Sequence, residues 1–319
     1  MSKGQIKHIY LQLDELYDLS EKVPCNEDSK FVVFSDLHMG DGSNKDDFKQ
    51  NAELFKTTIA EYYYPKGFSM ILNGDVEELQ RYSLSKIENA WEPVYDILAM
   101  FDRSNRLYKL IGNHDITLQL PDRHPPRLKI RDSLTLQSKY GDLHLFHGHQ
   151  ASNTYRKFNK LMGYTLRYIA NPLRIKNFSV AHDSRKQYAI ERKVYHHASF
   201  RKRVAIIGHT HRPLFESLSK AERLKYRIEQ LCRKYAKAPE KKQKPIKKVI
   251  KSHKKELKKI FPNKAAVNQH SHIYHSIFHI PCLFNSGCVI GKRGMTCLEI
   301  EHGQIALVHW FDKKITNKY

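Results

Sequence analysis

The stretch FVVFSDLHMGDG, residues 31–42, joins an apolar run directly to a polar loop. Phe31, Val32, Val33 and Phe34 have the composition of a short buried strand. Ser35, Asp36, Leu37 and His38 follow at once, so the strand delivers a carboxylate and an imidazole, two residues apart, into a glycine-containing loop. The plan recurs at MILNGD (70–75), LYKLIGNHD (107–115), LHLFHGH (143–149) and VAIIGHTH (204–211). Helix-like segments lie between the first three. In residues 89–101, Trp91, Val94, Tyr95, Leu98 and Phe101 share one helical face. Strands alternating with helices predict an α/β sheet. Residues 8–20 place Ile9, Leu13 and Leu16 at helical spacing, a short amphipathic helix. CLFNSGCVI (282–290) and MTCLEIEHGQIALVHW (295–310) read as short strands, the second a hairpin turning at His302-Gly303. Those C-terminal strands would form a second sheet packed on the first.

The chain has 319 residues and a formal net charge of +22, which calls for an anionic partner. Its cysteines, Cys25, Cys232, Cys282, Cys288 and Cys297, are odd in number and form no C-x-x-C. That argues against a disulfide framework and for a reducing, cytoplasmic location. The N-terminal MSKGQIKHIYLQLDEL has no uninterrupted apolar stretch, so no signal peptide is expected. No segment reaches the roughly 18 apolar residues of a membrane span. Any membrane contact would be peripheral.

Most of the excess charge sits in residues 217–264, with eighteen Lys or Arg against four Glu, a net of +14. Leu224, Ile228, Leu231 and Tyr235 form one apolar stripe there; Val249, Ile250, Leu257, Ile260 and Phe261 form a rougher second one. With a break from Ala238-Pro239 to Pro245, the segment reads as two amphipathic helices, a hairpin inserted into a single domain spanning 1–319. A solvated, partly disordered loop is the alternative. Two partners suit its charge, an anionic membrane surface and a nucleic acid; a solvated face without a partner suits it too. Few aromatics, among them Tyr226, Tyr235 and Phe261, accompany the lysines, which disfavours a stacking platform for single strands.

Asp36, His38, Asp75, Asn113, His114, His147, His149, His209 and His211 each follow an apolar run. The carboxyl edge of an α/β sheet is where sites are built. Carboxylate, imidazole and amide together suit borderline divalent metals such as Mn, Fe or Zn. No cysteine joins the set, which disfavours a thiolate zinc site. One D-x-H or H-x-H is weak on its own; five such loops in order, with Gly beside Asp75, Asn113, His147 and His209, are specific. A further group, His270, His272, His275 and His279, suits a second metal site or one face of an ordinary strand.

SDLH, NGD, GNHD, HGH and GHTH resemble the five signature blocks of the calcineurin-like metallophosphoesterases, over residues 30–214 with FNSG (284–287) as a last element. The resemblance implies a double β-sandwich flanked by helices and a pair of divalent cations, manganese first and iron or zinc as alternatives. It implies Asp36, His38 and His211 on one cation, Asn113, His147 and His209 on the other, and Asp75 bridging both. His114 would face the substrate phosphate, with Asp115 supporting it. The implied reaction is in-line attack of a metal-bridging hydroxide on a phosphodiester, phosphomonoester or pyrophosphate. All these positions are filled, which argues against an inactive binding scaffold.

SDLHMGDG and GHTHRP also resemble the UDP-2,3-diacylglucosamine pyrophosphatases. The segment ASNTYRKFNKLMGYTLRYIANPLRIK (151–176) would suit a helical lid extending over residues 151–200, with Arg156, Arg167 and Arg174, and His149 beside them, on substrate phosphates. Core packing of two helices suits the same segment. Those pyrophosphatases carry Arg where His114 stands and HGD where this chain has HGH, so the phosphorylated substrate's class stays open. A nuclease gripping DNA through the basic segment is a further alternative.

Overall fold

The apolar residues of the opening run are buried, and they alternate between two cores. A computed structural model of the chain describes residues 3–119, 128–152, 184–214, 238–260 and 282–312, with scattered positions between 228 and 236. The chain divides into two compact units, Met1–Phe215 with Leu283–Tyr319, and Glu216–Cys282. In chain order the first holds helix α1 (Lys3–Asp18), strands β1 (Glu21–Pro24) and β2 (Lys30–Phe34), and helix α2 (Ala52–Thr57) with a π-helical continuation (Thr58–Tyr63). Strand β3 (Ser69–Asn73), helices α3 (Leu84–Ala90) and α4 (Glu92–Arg103), and strands β4 (Leu107–Leu110), β5 (Ile130–Arg131), β6 (Leu134–Ser138) and β7 (Gly141–Leu145) come next. Helix α5 (Ser184–Arg201) and strands β8 (Val204–Ile207), β9 (Leu283–Asn285), β10 (Met295–Glu301) and β11 (Gln304–Trp310) complete it.

The strands make two sheets flanked by helices, as the family resemblance implied. One has the order β11-β10-β2-β3-β4-β5, the other β1-β6-β7-β8-β9. Strands β2 to β5 run parallel, as do β7 to β9. Phe31 and Val33 point into the core between the sheets, against Leu134, Leu136, Leu143, Leu145 and Ile206. Val32 and Phe34 point the other way, onto Phe48, Phe55, Tyr63, Leu98 and Phe101. A strand with both faces covered is apolar at every position, which is why FVVF does not alternate with polar residues. On the outer side of the second sheet, the Tyr17 ring of α1 meets His144 edge-on at 5.4 Å, and His197 of α5 donates to Asp14 at 3.0 Å.

The partition of strands differs from the single sheet expected for the five runs. Three of them end in the first sheet and two in the second. The C-terminal hairpin does not make a sheet of its own. Strand β10 pairs antiparallel with β2, Leu298 opposite Val33, which buries Leu298 and Ile300 in the inter-sheet core and satisfies an otherwise open strand edge. The helix expected over 89–101 begins only at Glu92. Trp91 (φ −118°, ψ 26°) breaks the chain between α3 and α4, and Pro93 suits the first turn of the new helix.

In the second unit the described positions 228, 231, 232 and 234–236 are helical, and a longer helix, α6 (Glu240–Ile260), follows with Pro245 inside it. The break expected to reach Pro245 is thus confined to Ala238-Pro239. One proline removes one backbone donor, and the surrounding Lys, Gln and Glu are good helix formers. Lys244, Lys247, Lys248, Lys251, Lys254 and Lys255 are exposed, and Ile250 is buried. The first arm of the expected hairpin falls almost entirely outside the described residues, as do residues 153–183, with Arg156, Arg167 and Arg174, and the cluster His270 to His279. Of the expected lid, residues 184–200 belong to α5, where Ile190, Val194 and Ala198 are buried. No helix among the described residues is long and apolar enough to cross a membrane.

Phe34 is fully buried, edge-on to Phe55 at 5.1 Å and Tyr63 at 5.7 Å. Phe34→Ala should cost about 3–5 kcal/mol, read as a fall in the urea midpoint at unchanged slope.

Candidate metal centre

Every candidate residue follows its strand by two to four positions. Asp36 and His38 follow β2, Asp75 follows β3, and Asn113 and His114 follow β4. From the second sheet come His147 and His149 after β7, and His209 and His211 after β8. Five of them hold left-handed backbone: Asp36 (φ 55°), His38 (48°), Asp75 (53°), His209 (65°) and His211 (54°). Only three other described non-glycine residues do so. Each such residue costs on the order of 1 kcal/mol, and it persists where surrounding bonds over-determine it.

Those bonds are present. Asp36 N–H donates to Gly74 O (3.1 Å), His38 N–H to Asp75 O (3.0 Å), Met39 N–H to Val76 O (2.9 Å) and Gly208 N–H to His147 O (2.9 Å). Asp36 Oδ2 accepts from His209 N–H at 2.9 Å, and Asp75 Oδ1 from His114 N–H at 2.8 Å. The FNSG segment ties the loops from behind. Asn285 Nδ2 donates to Gly208 O and Thr210 Oγ1, both at 2.9 Å, and Ser286 and Ser35 hydroxyls share a 2.7 Å bond. Glu191 of α5 accepts from Thr210 Oγ1 at 3.0 Å.

The side chains converge. Asp36 Oδ1 lies 3.1 Å from His211 Nε2, 3.8 Å from His38 Nε2 and 3.9 Å from His147 Nε2. Asp75 Oδ2 lies 3.1 Å from His147 Nε2, 3.9 Å from His38 Nε2 and 4.0 Å from His114 Nε2. Three groups of donors are close enough to hold an ion: Asp36, His38 and His211; Asp75, His147 and His209; and His38, Glu78 and His114. Asn113 Oδ1 is buried without a hydrogen bond among the described residues. His149 is buried, its ring 5.4 Å from that of His147.

Glu78 was not singled out in the sequence. Its carboxylate accepts from His38 Nδ1 at 3.0 Å and from His114 Nδ1 at 2.8 Å. Asp115 does not meet the His114 ring, contrary to the expectation. Its oxygens accept from Gly112 N–H (2.6 Å) and Val76 N–H (2.7 Å), because a buried carboxylate at that turn satisfies backbone donors first. The carboxylate that supports His114 is Glu78. The only signal for it is an acid three residues after Asp75, and Glu77 beside it is equally acidic. Glu77 turns elsewhere, to Lys109 at 2.5 Å and Tyr95 at 2.6 Å.

Burial opposes charge throughout this cluster, and opposite charges overrule it at Asp36, Asp75, His147 and His114 but not at His209 or Asp115. Burial raises Asp36, but His211 and His147 outweigh it and hold the group at about 2. Asp75 lies well below the usual carboxylate range through His147 and His114, again against burial. His147 is held up at about 10 by Asp75 and Asp36, and His114 at about 9 by Asp75 and Glu78, despite burial in both cases. Burial and the neighbouring His147 push His209 down to about 3. Burial with Asp75 and Glu77 pushes Asp115 up to about 7. The buried Asp36 and Asp75 carboxylates are held ionised by the positive charge facing them.

The donor chemistry fits divalent cations. His147 Nδ1–H donates to Asn73 O at 2.8 Å, so in the neutral ring, the form that would hold a cation in place of the Nε2 proton, Nε2 is the lone-pair nitrogen. That atom is buried and makes no hydrogen bond among the described residues, and the same holds for Asp36 Oδ1. His38 donates through Nδ1 to Glu78, and its Nε2 faces His211 Nε2 at 3.1 Å. Nitrogen lone pairs and carboxylate oxygens facing one another in a buried cluster suit a shared cation.

Two packed sheets whose strand ends bring carboxylates, imidazoles and an amide together define a metallohydrolase scaffold. The chain belongs to the calcineurin-like phosphoesterase family, whose model matches residues 29–215. It is accordingly a metal-dependent hydrolase of phosphoric esters. A similar solved structure is a conserved uncharacterized protein, a predicted phosphoesterase, from Streptococcus pneumoniae TIGR4. It is 11% identical, covering 89% of this chain and 93% of that one, with a TM-score of 0.30. No curated protein matches the chain.

Glycine at two loop positions is a matter of space. A Cβ on Gly112 would stand 2.1 Å from Asp75 Oδ1, and one on Gly74, at φ +85°, would stand 2.5 Å from His147 Nδ1. Gly112→Ala should displace the Asp75 carboxylate and lower bound metal, measured by elemental analysis of the purified protein. Glu78→Gln keeps the shape and loses the charge. It should lower turnover or metal affinity by about 10–100-fold, read from a metal titration of hydrolysis.

Proposed function

We propose that the cluster holds two divalent cations and that the chain cleaves a phosphodiester, phosphomonoester or pyrophosphate bond with them. Asp36, His38 and His211 are assigned to one cation, Asn113, His147 and His209 to the other, with Asp75 between them. The family resemblance puts manganese first, and the mixed carboxylate, imidazole and amide donors suit iron and zinc as well. The observation that carries the reading is the set of buried donor atoms, Asp36 Oδ1, Asn113 Oδ1 and His147 Nε2, that make no hydrogen bond among the described residues and are gathered on loops tied together by backbone hydrogen bonds. When bound, the cations supply Lewis acidity to phosphoryl oxygens and make water a nucleophile at neutral pH.

The chain's own residues do the remaining work. Asp75 turns one oxygen to the His114 backbone and the other toward His147, so its place is fixed before any ion arrives. His114 is partly open to solvent, with Nδ1–H held by Glu78 and Nε2 toward the cluster. That arrangement lets Nε2 donate a proton to the departing oxygen and lets the imidazolium offset charge on phosphate. Glu78 fixes the ring and favours its protonated form.

The free cysteines support a cytoplasmic location. The exposed lysines of α6 support an anionic partner, a membrane surface or a nucleic acid. The substrate is best sought with bis-p-nitrophenyl phosphate, p-nitrophenyl phosphate, UDP-diacylglucosamine and single-stranded DNA in Mn²⁺, against a chelated control. Preference for the glycolipid would make the chain a pyrophosphatase of glycolipid synthesis; preference for DNA, with steep salt dependence, would make it a nuclease. Asp75→Asn should abolish hydrolysis of every substrate in the panel while circular dichroism stays unchanged. Near-parental turnover at saturating metal would overturn the two-cation reading.

A further inference from the structure

A basic turn stands beside the candidate centre. Strand β9 leads into the segment Ser286–Gly294, whose tip is Gly291-Lys292-Arg293-Gly294. A pocket of 340 Å³ is lined by His211, Cys288 and Thr296 together with Lys292, Arg293 and His309. His211 thus belongs both to this pocket and to the candidate cation site. Lys292 and Arg293 are exposed, and no carboxylate among the described residues pairs with them or with His309.

The turn is built rather than loose. Val289 N–H donates to Asp36 O at 3.3 Å, which fastens the segment to a candidate ligand's own backbone. Asn51 Nδ2 donates to Val289 O (2.5 Å) and Gly291 O (2.9 Å), and Gln50 Nε2 to Ile290 O (2.7 Å). Thr296 N–H donates to Cys288 O (3.1 Å), Gly294 N–H to Gly291 O (3.2 Å), and His309 Nε2–H to Arg293 O (3.1 Å). Adjacent cations on a fixed turn repel each other, and an anion between them relieves the repulsion. Thr296 Oγ1 donates to Ser286 O (2.8 Å) and His309 Nε2–H is taken by Arg293 O, so the groups left to bind phosphate oxygens are the Lys292 ammonium and the Arg293 guanidinium.

We propose that the Lys292–Arg293 turn, braced by His309, forms a subsite for a second phosphate group on the substrate, next to the scissile phosphoester held at the His211 side. The proposal rests on the phosphoesterase reading of the same centre and narrows its substrate class. The substrate then carries at least two phosphates, as in a nucleoside bisphosphate or a phosphorylated diester, rather than one phosphoester joining two neutral groups.

The test uses two chromogenic esters with the same leaving group, the 5′-p-nitrophenyl esters of thymidine 5′-phosphate and of thymidine 3′,5′-bisphosphate. The full chain in Mn²⁺ should prefer the bisphosphate by about tenfold in kcat/KM, mostly through KM, the worth of one charge-assisted contact. The double variant Lys292→Ala, Arg293→Ala should erase that preference. Equal kcat/KM for both esters in the parent would overturn the subsite and leave the phosphoesterase reading standing. A preference that survives in the double variant would also overturn it, as would equal losses on both esters. If neither ester is cleaved, the phosphoesterase reading is what fails. Binding then decides the subsite: thymidine 3′,5′-bisphosphate should bind the parent more tightly than thymidine 5′-phosphate and lose that advantage in the double variant. Equal binding of the two in the parent would overturn it.

Discussion

Three successive backbone hydrogen bonds, from Asp36, His38 and Met39 to the carbonyls of Gly74, Asp75 and Val76, carry the rest of the site. They continue the pairing of β2 with β3 past the end of both strands, where the sheet twist would otherwise let the loops part. Because they hold, Asp36, His38 and Asp75 keep left-handed backbone that an unconstrained chain would leave. The carboxylates then face the same point from neighbouring strands. His209 N–H on Asp36 Oδ2 draws the second sheet's loop to that point. The close approach also explains Gly112, whose missing Cβ is the space in which the Asp75 carboxylate lies.

The strand-ending loops were legible because their signal is local. An apolar run followed at once by Asp or His needs no knowledge of neighbours, and the elements found at 30–34, 69–73, 107–110, 141–145 and 204–207 lie where the runs placed them. Division of those strands between two sheets was not legible. Phe31 and Leu145 are equally apolar, and only pairing partners far along the chain decide which sheet each joins. The edge position of β10 was hidden for the same reason. Strand β1, EKVP, is largely exposed and offers no apolar run, β5 has two residues, and β6 ends in no functional loop to draw notice.

The supporting residues were harder still. Glu77 and Glu78 are the same residue type side by side, yet one turns to a buried lysine and a tyrosine while the other holds two imidazoles. Nothing in VEEL separates them, since the choice depends on Lys109 and His114, more than thirty residues away. Asp115 shows the converse. Adjacent to His114 in sequence, it spends both oxygens on backbone donors. Chain neighbours are poor guides to polar partners once a loop is buried, because buried backbone groups claim acceptors first.

Donors from both sheets meet at one point, Asp36, His38 and Asp75 from the first and His147, His209 and His211 from the second. The apolar side chains that fill the inter-sheet core attract without direction and are indifferent to small sliding of one layer over the other, whereas a set of directed polar atoms is not. An ion gripped from both sides would act as a rivet through the sandwich. By linkage it adds about 2.7 kcal/mol to folding at a hundredfold excess over its dissociation constant. The supply of such an ion would then bear on the stability of the fold as well as on the chemistry between the layers.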